Sequence, residues 1–223
     1  MLKKVQLYFV RHGETYFNTC QKIQGWSDSL LTNEGVNNVS HVGKTINRVP
    51  FAKVYSSDLG RAKATTAIIL SENKNKQTIP LEYIPNFREQ FFGSFEGDKL
   101  NIFSKLFDLK KINKTTVEND SELAKYFPED DIMDQFKLID PTHDAENSLE
   151  FWSRIEQGLQ HVFSESQDGD KILVVTHGAL IRKLATRITH SYHNNPDNAS
   201  ISIFEMKDNL KMTLHQYNQH SLE

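Results

Sequence analysis

Apolar runs of strand length alternate along this chain with segments whose apolar residues recur at helical spacing. Four runs are predicted to be strands, at residues 5–10, 53–56, 79–84 and 171–175. Helices are predicted between and after these strands, at residues 33–49, 61–70, 149–162 and 179–189. Thr32 and Ser148 are of residue types favoured at N-caps, so two of these helices are predicted to begin there.

The last part of the chain has a different pattern. Residues 199–206 and 211–217 alternate apolar and polar side chains on either side of Asp208 and Asn209, which predicts an antiparallel hairpin. Strands that alternate with helices and end in such a hairpin are typical of layered α/β proteins. We therefore predict a three-layer α/β/α fold with a mostly parallel, mixed sheet of about six strands.

Residues 98–147 interrupt this alternation. They combine an aromatic and aliphatic run with an acidic stretch from Glu118 to Asp134, and they are long for a connection. We predict a single domain over residues 1–223, in which this insertion is a partly helical cap over the carboxyl edge of the sheet. The alternative is an insertion that lies away from any functional site. If the acidic stretch faces such a site, it would disfavour highly anionic substrates.

Composition is that of an ordinary globular protein, with 223 residues, 38% hydrophobic and 25% charged. The net charge of −3 predicts neither nucleic acid nor an anionic membrane as partner, so any anion must be bound by local positive charge. Cys20 is the single cysteine, which excludes an internal disulfide, and no signal peptide or membrane span is evident. We predict a cytoplasmic protein; whether it forms a homo-oligomer stays open.

Two of the predicted strands are followed directly by His-Gly, at residues 12–13 and 177–178. Since ligands of α/β sheets bind beyond the carboxyl ends of the strands, both imidazoles are expected at one edge. Arg61 follows the second predicted strand and Glu89 the third, so the same rule brings four polar side chains together. Helices that begin after Arg61 and Gly178 would aim their positive amino ends at the same place.

These residue types are complementary for chemistry on a phosphoryl group. A neutral histidine can attack phosphorus and carry the group covalently. Guanidinium groups bind the oxygens of that group and stabilise its charge. A carboxylic acid of raised pKa can protonate the leaving alcohol and later accept a proton from water. Each residue taken singly is more often structural, and only their joint occurrence favours a catalytic site.

Five segments resemble motifs of the histidine phosphatase superfamily, the phosphoglycerate mutase-like fold. The sequence Arg-His-Gly-Glu-Thr at residues 11–15 is similar to the family signature. The other segments that resemble family motifs are residues 24–35, 55–62, 88–97 and 175–178. The resemblance spans nearly the whole chain and is weakest across the insertion. It implies an enzyme that needs no metal or other cofactor, and the chain has no G-x-x-x-x-G-K-[ST] loop.

Carried over to this sequence, the resemblance assigns a role to each matching residue. It implies that His12 is the nucleophile that becomes phosphorylated and that Glu89 is the general acid and base. The implied phosphate pocket consists of Arg11, Arg61 and His177. The loop after the nucleophile is implied to contribute contacts with phosphate or substrate from Asn18, Gln24 and Gly25.

The same site can transfer a phosphoryl group to water or return it to a sugar acid. A mutase must exclude water, usually with a closing segment, and this chain ends within a few residues of its last predicted strand. Residues 24–32 also resemble the phosphatases of the family more than its mutases. We predict a metal-independent phosphomonoesterase for small phosphorylated metabolites. The alternatives are a cofactor-dependent phosphoglycerate mutase and an inactive regulatory module that binds phosphorylated ligands.

Overall fold

The computed structural model describes residues 3–73 and 79–222, which include a six-stranded mixed sheet. Its strands are β1 (Lys4–Arg11), β2 (Phe51–Ser56), β3 (Leu81–Tyr83), β4 (Lys171–Thr176), β5 (Ile201–Lys207) and β6 (Met212–Gln219). Their order across the sheet is β3-β2-β4-β1-β5-β6. The first four strands are parallel, whereas β5 is antiparallel to β1 and β6 to β5. The predicted mixed, mostly parallel sheet is confirmed.

Helices cover both faces of this sheet. The α-helices in the described part of the chain are α1 (Tyr16–Thr19), α2 (Asn33–Thr45), α3 (Gly60–Glu72), α4 (Phe103–Leu106), α5 (Asp120–Leu123), α6 (Glu129–Ile139), α7 (Ser148–Glu165) and α8 (Gly178–Thr189). Successive residues of β1 point to opposite faces. Leu7 and Phe9 pack with α7 and α8, whereas Tyr8 and Val10 pack with α2 and α3. Within residues 3–73 and 79–222, no helix is long and apolar enough to cross a membrane.

The elements at the two edges of the sheet show how turn residues set strand ends. β3 comprises Leu81–Tyr83 rather than the predicted residues 79–84, because prolines stand on both sides of it. Pro80 has no N–H to donate, and a 3-10 turn begins at Pro85. At the other edge, β5 and β6 form the predicted hairpin. Asn209 lies in the turn between them and adopts a left-handed conformation, with φ of 61°.

Helix N-caps confirm one prediction and correct another. Thr32 caps α2, since its hydroxyl accepts a hydrogen bond from the Gly35 N–H at 2.9 Å. The cap of α7 is Asn147 and not Ser148. The Asn147 side chain accepts from the Glu150 N–H at 2.8 Å, and the Glu150 carboxylate accepts from the Asn147 N–H at 3.0 Å. This reciprocal pair satisfies two backbone donors at once, which explains why the helix begins at the earlier cap.

The insertion, residues 98–147, contains α4, α5 and α6 and has an apolar core separate from those of the sheet. Phe136 of α6 lies at the centre of this core. Its ring contacts those of Phe92, Phe95 and Phe103 edge-on, with centroids 5.2 to 5.9 Å apart. Phe103, from the aromatic and aliphatic run seen in the sequence, is therefore buried in this core.

A buried ionic network attaches the insertion to α8. Arg182 of α8 donates to Asp120 of α5 at 2.5 Å and also to Glu129 of α6. Lys183 donates to the same Glu129 carboxylate at 2.9 Å, and the Arg182 Nε donates to the Asn195 side chain at 2.8 Å. Arg182 is fully buried. Two cations of α8 therefore pair with two carboxylates of the insertion.

Candidate active site

The carboxyl ends of β1 and β4 place two histidines side by side. His12 follows β1 and His177 follows β4, and these two strands are adjacent and parallel. The His12 N–H donates to the Thr176 carbonyl at 2.9 Å. The ring centroids lie 5.3 Å apart, and both side chains are buried. The structure thus brings the two predicted imidazoles together at one edge of the sheet.

Contacts of the His12 ring fix which nitrogen can react. Its Nδ1 lies 2.8 Å from the Gly13 carbonyl, which can only accept, so Nδ1 carries the proton and Nε2 keeps its lone pair. Burial, followed by the charges of Arg61 and Arg11, holds the pKa of His12 well below its usual range. The ring is therefore neutral at physiological pH, as a nucleophile must be.

His177 is held by a residue from the end of β2. Its Nε2 lies 2.8 Å from the Ser57 hydroxyl, while its buried Nδ1 has no hydrogen-bond partner. Ser57 itself is fully buried, and its N–H donates to Val175 of β4 at 2.9 Å. Burial, together with the charge of Arg61, keeps the pKa of His177 well below the ordinary value. Ser57 therefore fixes the orientation of the second imidazole.

Arg11 is a cation that Glu89 and Asp197 influence electrostatically without forming an ion pair with it. Its Nη1 donates to the Pro196 carbonyl at 2.6 Å, and its buried Nε has no partner. Among the ion pairs of residues 3–73 and 79–222, none involves Arg11. Gly178 lies close beneath the guanidinium, where a Cβ would come within 2.9 Å of Nε. An anion at this position would supply the missing partner.

Arg61 is tied into the loop that follows β1. Its Nη1 donates to the Ser27 carbonyl at 2.9 Å and to Asp28 at 3.1 Å, and its Nη2 donates to the Gly25 carbonyl at 2.7 Å. Its buried Nε has no partner. The N–H of Arg61, at the start of α3, donates to Asp28 at 3.2 Å. The prediction that this helix end aims at a ligand is therefore wrong, because Asp28 occupies it.

Glu89 is buried with both carboxylate oxygens bonded to the backbone. Oε1 accepts from the Gln90 N–H at 3.0 Å, and Oε2 accepts from the Ala179 N–H at 2.8 Å. Burial raises the pKa of Glu89, and these two hydrogen bonds only partly offset that effect. The amino end of α8 therefore lies at this edge of the sheet, where Gly178 and Ala179 line the same cavity as Glu89. Arg154 of α7, which the sequence did not single out, donates to the Glu89 carbonyl at 2.8 Å and fixes its backbone.

Asn18 is oriented by its neighbours. Its side-chain oxygen accepts from the Thr15 N–H at 3.1 Å and from the Asn198 amide at 3.3 Å. Because both groups are donors, the oxygen must face them, which leaves the Asn18 NH₂ group for other partners. Asn198 also donates to the His12 carbonyl at 3.1 Å. Asn198, which precedes β5, therefore positions both His12 and Asn18.

Gln24 and Gly25 have their polar groups engaged inside the loop. The Gln24 side-chain oxygen accepts from the Thr15 hydroxyl at 2.7 Å, and the Gly25 N–H donates to Glu96 at 3.0 Å. A Cβ on residue 25 would lie 2.2 Å from the Gln90 carbonyl, so only glycine fits there. Gly25 thus acts on the site through its carbonyl, which binds Arg61. Glu96 also accepts from two further N–H groups of the loop.

A cavity of about 320 Å³ opens beside the His12 ring. Predicted site residues that line it are Arg11, His12, Asn18, Gln24 and Glu89. The insertion contributes Leu100, Phe103, Asn119 and Asp120, the start of α8 contributes Gly178 and Ala179, and other segments contribute Lys22, Ile23, Phe92 and Asn195. Three predicted residues, Gly25, Arg61 and His177, do not line this cavity. In the part of the chain that the structure describes, no group of three acidic, histidine or cysteine side chains could hold a metal ion.

Sequence reasoning missed several residues that hold the site side chains in place. Ser57 lies within residues 55–62, which resemble a family motif, but its side chain was given no role, and Arg154 lies in a helix whose apolar pattern looked purely structural. Asn198 offered a usable signal: it precedes a strand that is antiparallel to β1, and such a strand begins at the edge where β1 ends. Asp120 belongs to the acidic stretch, whose orientation only the structure reveals.

Comparison with known proteins gives the family. The model of the histidine phosphatase superfamily (branch 1) matches residues 7–220. A crystal structure of phosphoglycerate mutase from Bacillus anthracis str. Sterne is 30% identical, with a TM-score of 0.84 over 98% of this chain and 95% of that one. The adenosylcobalamin/alpha-ribazole phosphatase of Escherichia coli K12 is 26% identical over 184 residues, 82% of this chain and 79% of that protein.

A further relative is similar over a shorter stretch. Fructose-2,6-bisphosphatase TIGAR of Xenopus laevis is 36% identical over 101 residues, which are 45% of this chain and only 37% of that protein's length. The family match, in contrast, covers nearly all of the sequence, and the similar fold extends over the same range. The chain belongs to the histidine phosphatase superfamily.

Proposed function

We propose that this protein is a metal-independent phosphomonoesterase that hydrolyses small phosphorylated metabolites through a phosphohistidine at His12. The observation that carries the proposal is the pairing of two groups at one cavity. The His12 Nε2 keeps a free lone pair, and the Arg11 guanidinium beside it forms no ion pair with any residue that the structure describes. A volume of about 320 Å³ is at the small end for ligand sites, which favours a metabolite over a phosphorylated protein.

The first step transfers the phosphoryl group to the protein. The Nε2 of His12 attacks phosphorus, the N–P bond forms, and the ester P–O bond breaks. Protonated Glu89 gives its proton to the departing alkoxide, so the product leaves as a neutral alcohol. Arg11 and the Asn18 NH₂ group, which line the cavity, stabilise the charge on the phosphoryl oxygens, and the buried charge of Arg61, which also acts on His12, adds to this effect.

The second step returns the enzyme to its starting state. Glu89, now ionised, accepts a proton from a water molecule that attacks the phosphorus. The P–N bond breaks, inorganic phosphate leaves, and His12 is again neutral. One buried carboxyl thus acts first as acid and then as base, and the raised pKa of Glu89 that burial causes suits it to both roles.

The test of this proposal is hydrolysis of p-nitrophenyl phosphate by His12→Asn. We expect no turnover and no acid-labile phosphoprotein after rapid denaturation, whereas wild type gives both. His41→Asn is the matched control, because His41 is exposed on α2 and does not line the cavity. EDTA should leave wild-type turnover unchanged. Hydrolysis by His12→Asn at the wild-type rate would refute the nucleophile, and loss of activity in EDTA would refute a metal-independent mechanism.

A phosphoglycerate mutase is the second candidate function, favoured by the likeness to the Bacillus anthracis mutase structure across almost the whole chain. The two functions differ in where the phosphoryl group goes. With 2-phosphoglycerate as substrate, a phosphatase releases inorganic phosphate and a mutase forms 3-phosphoglycerate. We expect phosphate as the main product. Predominant formation of 3-phosphoglycerate would replace the phosphatase proposal with the mutase.

A further inference from the structure

The half of the cavity that would receive the substrate's alcohol is built largely from the insertion. Asn119 and Asp120 form one wall, and Leu100 and Phe103 lie beside them. Asn195, from the loop after α8, adjoins this wall. The side chains here are apolar or neutral, except for the Asp120 carboxylate and Lys22.

Asp120 faces the cavity with its countercharge behind it. Its side chain is 10% exposed, and one oxygen binds the Arg182 guanidinium at 2.5 Å. Arg182 is fully buried and does not line the cavity. Burial opposes ionisation, but the charges of Arg182 and Lys183 outweigh it and lower the pKa of Asp120. Of this ion pair, only the carboxylate lines the cavity, so a ligand meets the negative member of the pair.

Lys22 does not cancel this effect. It lines the cavity, but its side chain is partly exposed and its ammonium group stands 5.0 Å above the Phe17 ring. The interaction of two charges is about fourfold weaker in water than at the dielectric typical of partly buried sites. The buried carboxylate of Asp120 therefore acts more strongly on a bound ligand than the solvated ammonium of Lys22.

We propose that Asp120 selects against substrates with a second anionic group, so that the preferred substrates are phosphomonoesters of small uncharged alcohols. This inference rests on the proposed phosphatase function and names the substrate class of the same site. The alcohol would contact the apolar side chains with its carbon skeleton. The amide groups of Asn119 and Asn195 are within the same wall and can bind its hydroxyl groups.

A matched pair of substrates isolates the charge. Glycerol 2-phosphate and 2-phosphoglycerate carry the phosphoryl group on the same carbon and differ in one hydroxymethyl group that is replaced by a carboxylate. The measured quantity is the ratio of their kcat/KM values, with phosphate and 3-phosphoglycerate both counted as products of the second. Wild type should prefer glycerol 2-phosphate by about tenfold, the effect of one like charge at partly buried separation.

Two substitutions on the same wall should move this ratio in opposite directions. Asp120→Asn removes the charge and should bring the ratio close to one. Asn119→Asp adds a charge and should increase the ratio. The second variant is expected to fold because Asn119 caps α5, accepting from the Glu122 N–H at 3.0 Å, and aspartate caps helices equally well. Asp131→Asn, an exposed acid on α6 away from the cavity, is the charge-matched control and should leave the ratio unchanged.

The outcomes separate this inference from the proposed function. No turnover of either substrate or of p-nitrophenyl phosphate would overturn both. Three results would overturn the selectivity alone while phosphatase activity stands. These are a wild-type preference for 2-phosphoglycerate, failure to use glycerol 2-phosphate at all, and a ratio that the variants at 119 and 120 leave at the wild-type value. If Asp120→Asn does not fold, Asn119→Asp decides the matter.

Discussion

Replacing Arg182 by methionine is expected to destabilise the protein by removing one member of the buried ionic network. Methionine keeps most of the aliphatic stem of arginine but none of its hydrogen bonds. Arg182 is fully buried and binds Asp120, Glu129 and Asn195 at the same time. The perturbation is therefore electrostatic more than steric.

The structure sets the size of the effect. Breaking a buried ion pair by removing one partner costs about 3–5 kcal/mol, because the remaining charge stays buried without compensation. Glu129 keeps Lys183, at 2.9 Å, so Asp120 is the carboxylate that loses its ion pair. We therefore expect Arg182→Met to lower the free energy of unfolding by about 3–4 kcal/mol at pH 7.

The pH dependence gives the prediction its direction. In wild type the pKa of Asp120 lies below the unfolded value, so its contribution is complete above about pH 4 and is lost at lower pH. In Arg182→Met the buried carboxyl takes up a proton more readily, which removes the uncompensated charge. The difference in unfolding free energy between wild type and variant should therefore shrink as the pH falls from 7 toward 4.

Urea denaturation at several pH values measures this difference. Arg187→Met is the matched control on the same helix. Arg187 is half exposed, with its ion pair to Glu156 at 3.6 Å, and it stacks on Trp152, so its loss should cost about 1 kcal/mol or less. If Arg182→Met costs no more than Arg187→Met, or if its cost is the same at pH 4 and pH 7, the electrostatic account of the network is refuted.

Three further predictions concern the site. Glu89→Gln should reduce kcat by about 10²–10⁴ for alkyl phosphates and far less for p-nitrophenyl phosphate, whose leaving group needs no proton; equal losses would exclude Glu89 as the acid. Gly25→Ala should cost about 1–3 kcal/mol in urea denaturation, since its Cβ would lie 2.2 Å from the Gln90 carbonyl, and unchanged stability would contradict that clash. Below about pH 6.5 both histidines are protonated in the unfolded state, whereas the folded state keeps His12 and His177 neutral because their pKa values are lowered. The free energy of unfolding of wild type should therefore decrease as the pH is lowered below about 6.5. The slope of the unfolding free energy against pH should be smaller by one proton in His12→Asn. A slope equal to that of wild type would mean that the folded protein protonates His12 normally.

The fold could be predicted from the sequence because its signals are local. A parallel strand buried on both faces is a continuous apolar run, and β1 and β4 each have that pattern. His12 and His177 directly follow β1 and β4, which places them at one edge, and Arg61 and Glu89 follow β2 and β3 after short connections. Boundaries were predicted less well where two capping residues stand side by side, as at Asn147 and Ser148, since the hydrogen bonds decide between them.

The sequence by itself determined the layered fold, the family and which side chains lie together at the carboxyl edge of the sheet. These features follow from strand and helix periodicities and from the order of elements, which depend on residues close together in the sequence. Only the tertiary structure decided which groups hold those side chains. Hydrogen bonds join Ser57 to His177, Asn198 to His12 and Asp120 to Arg182. The paired residues are separated in sequence by 120, 186 and 62 positions, respectively. Such pairs depend on how layers pack, and no local pattern carries that information.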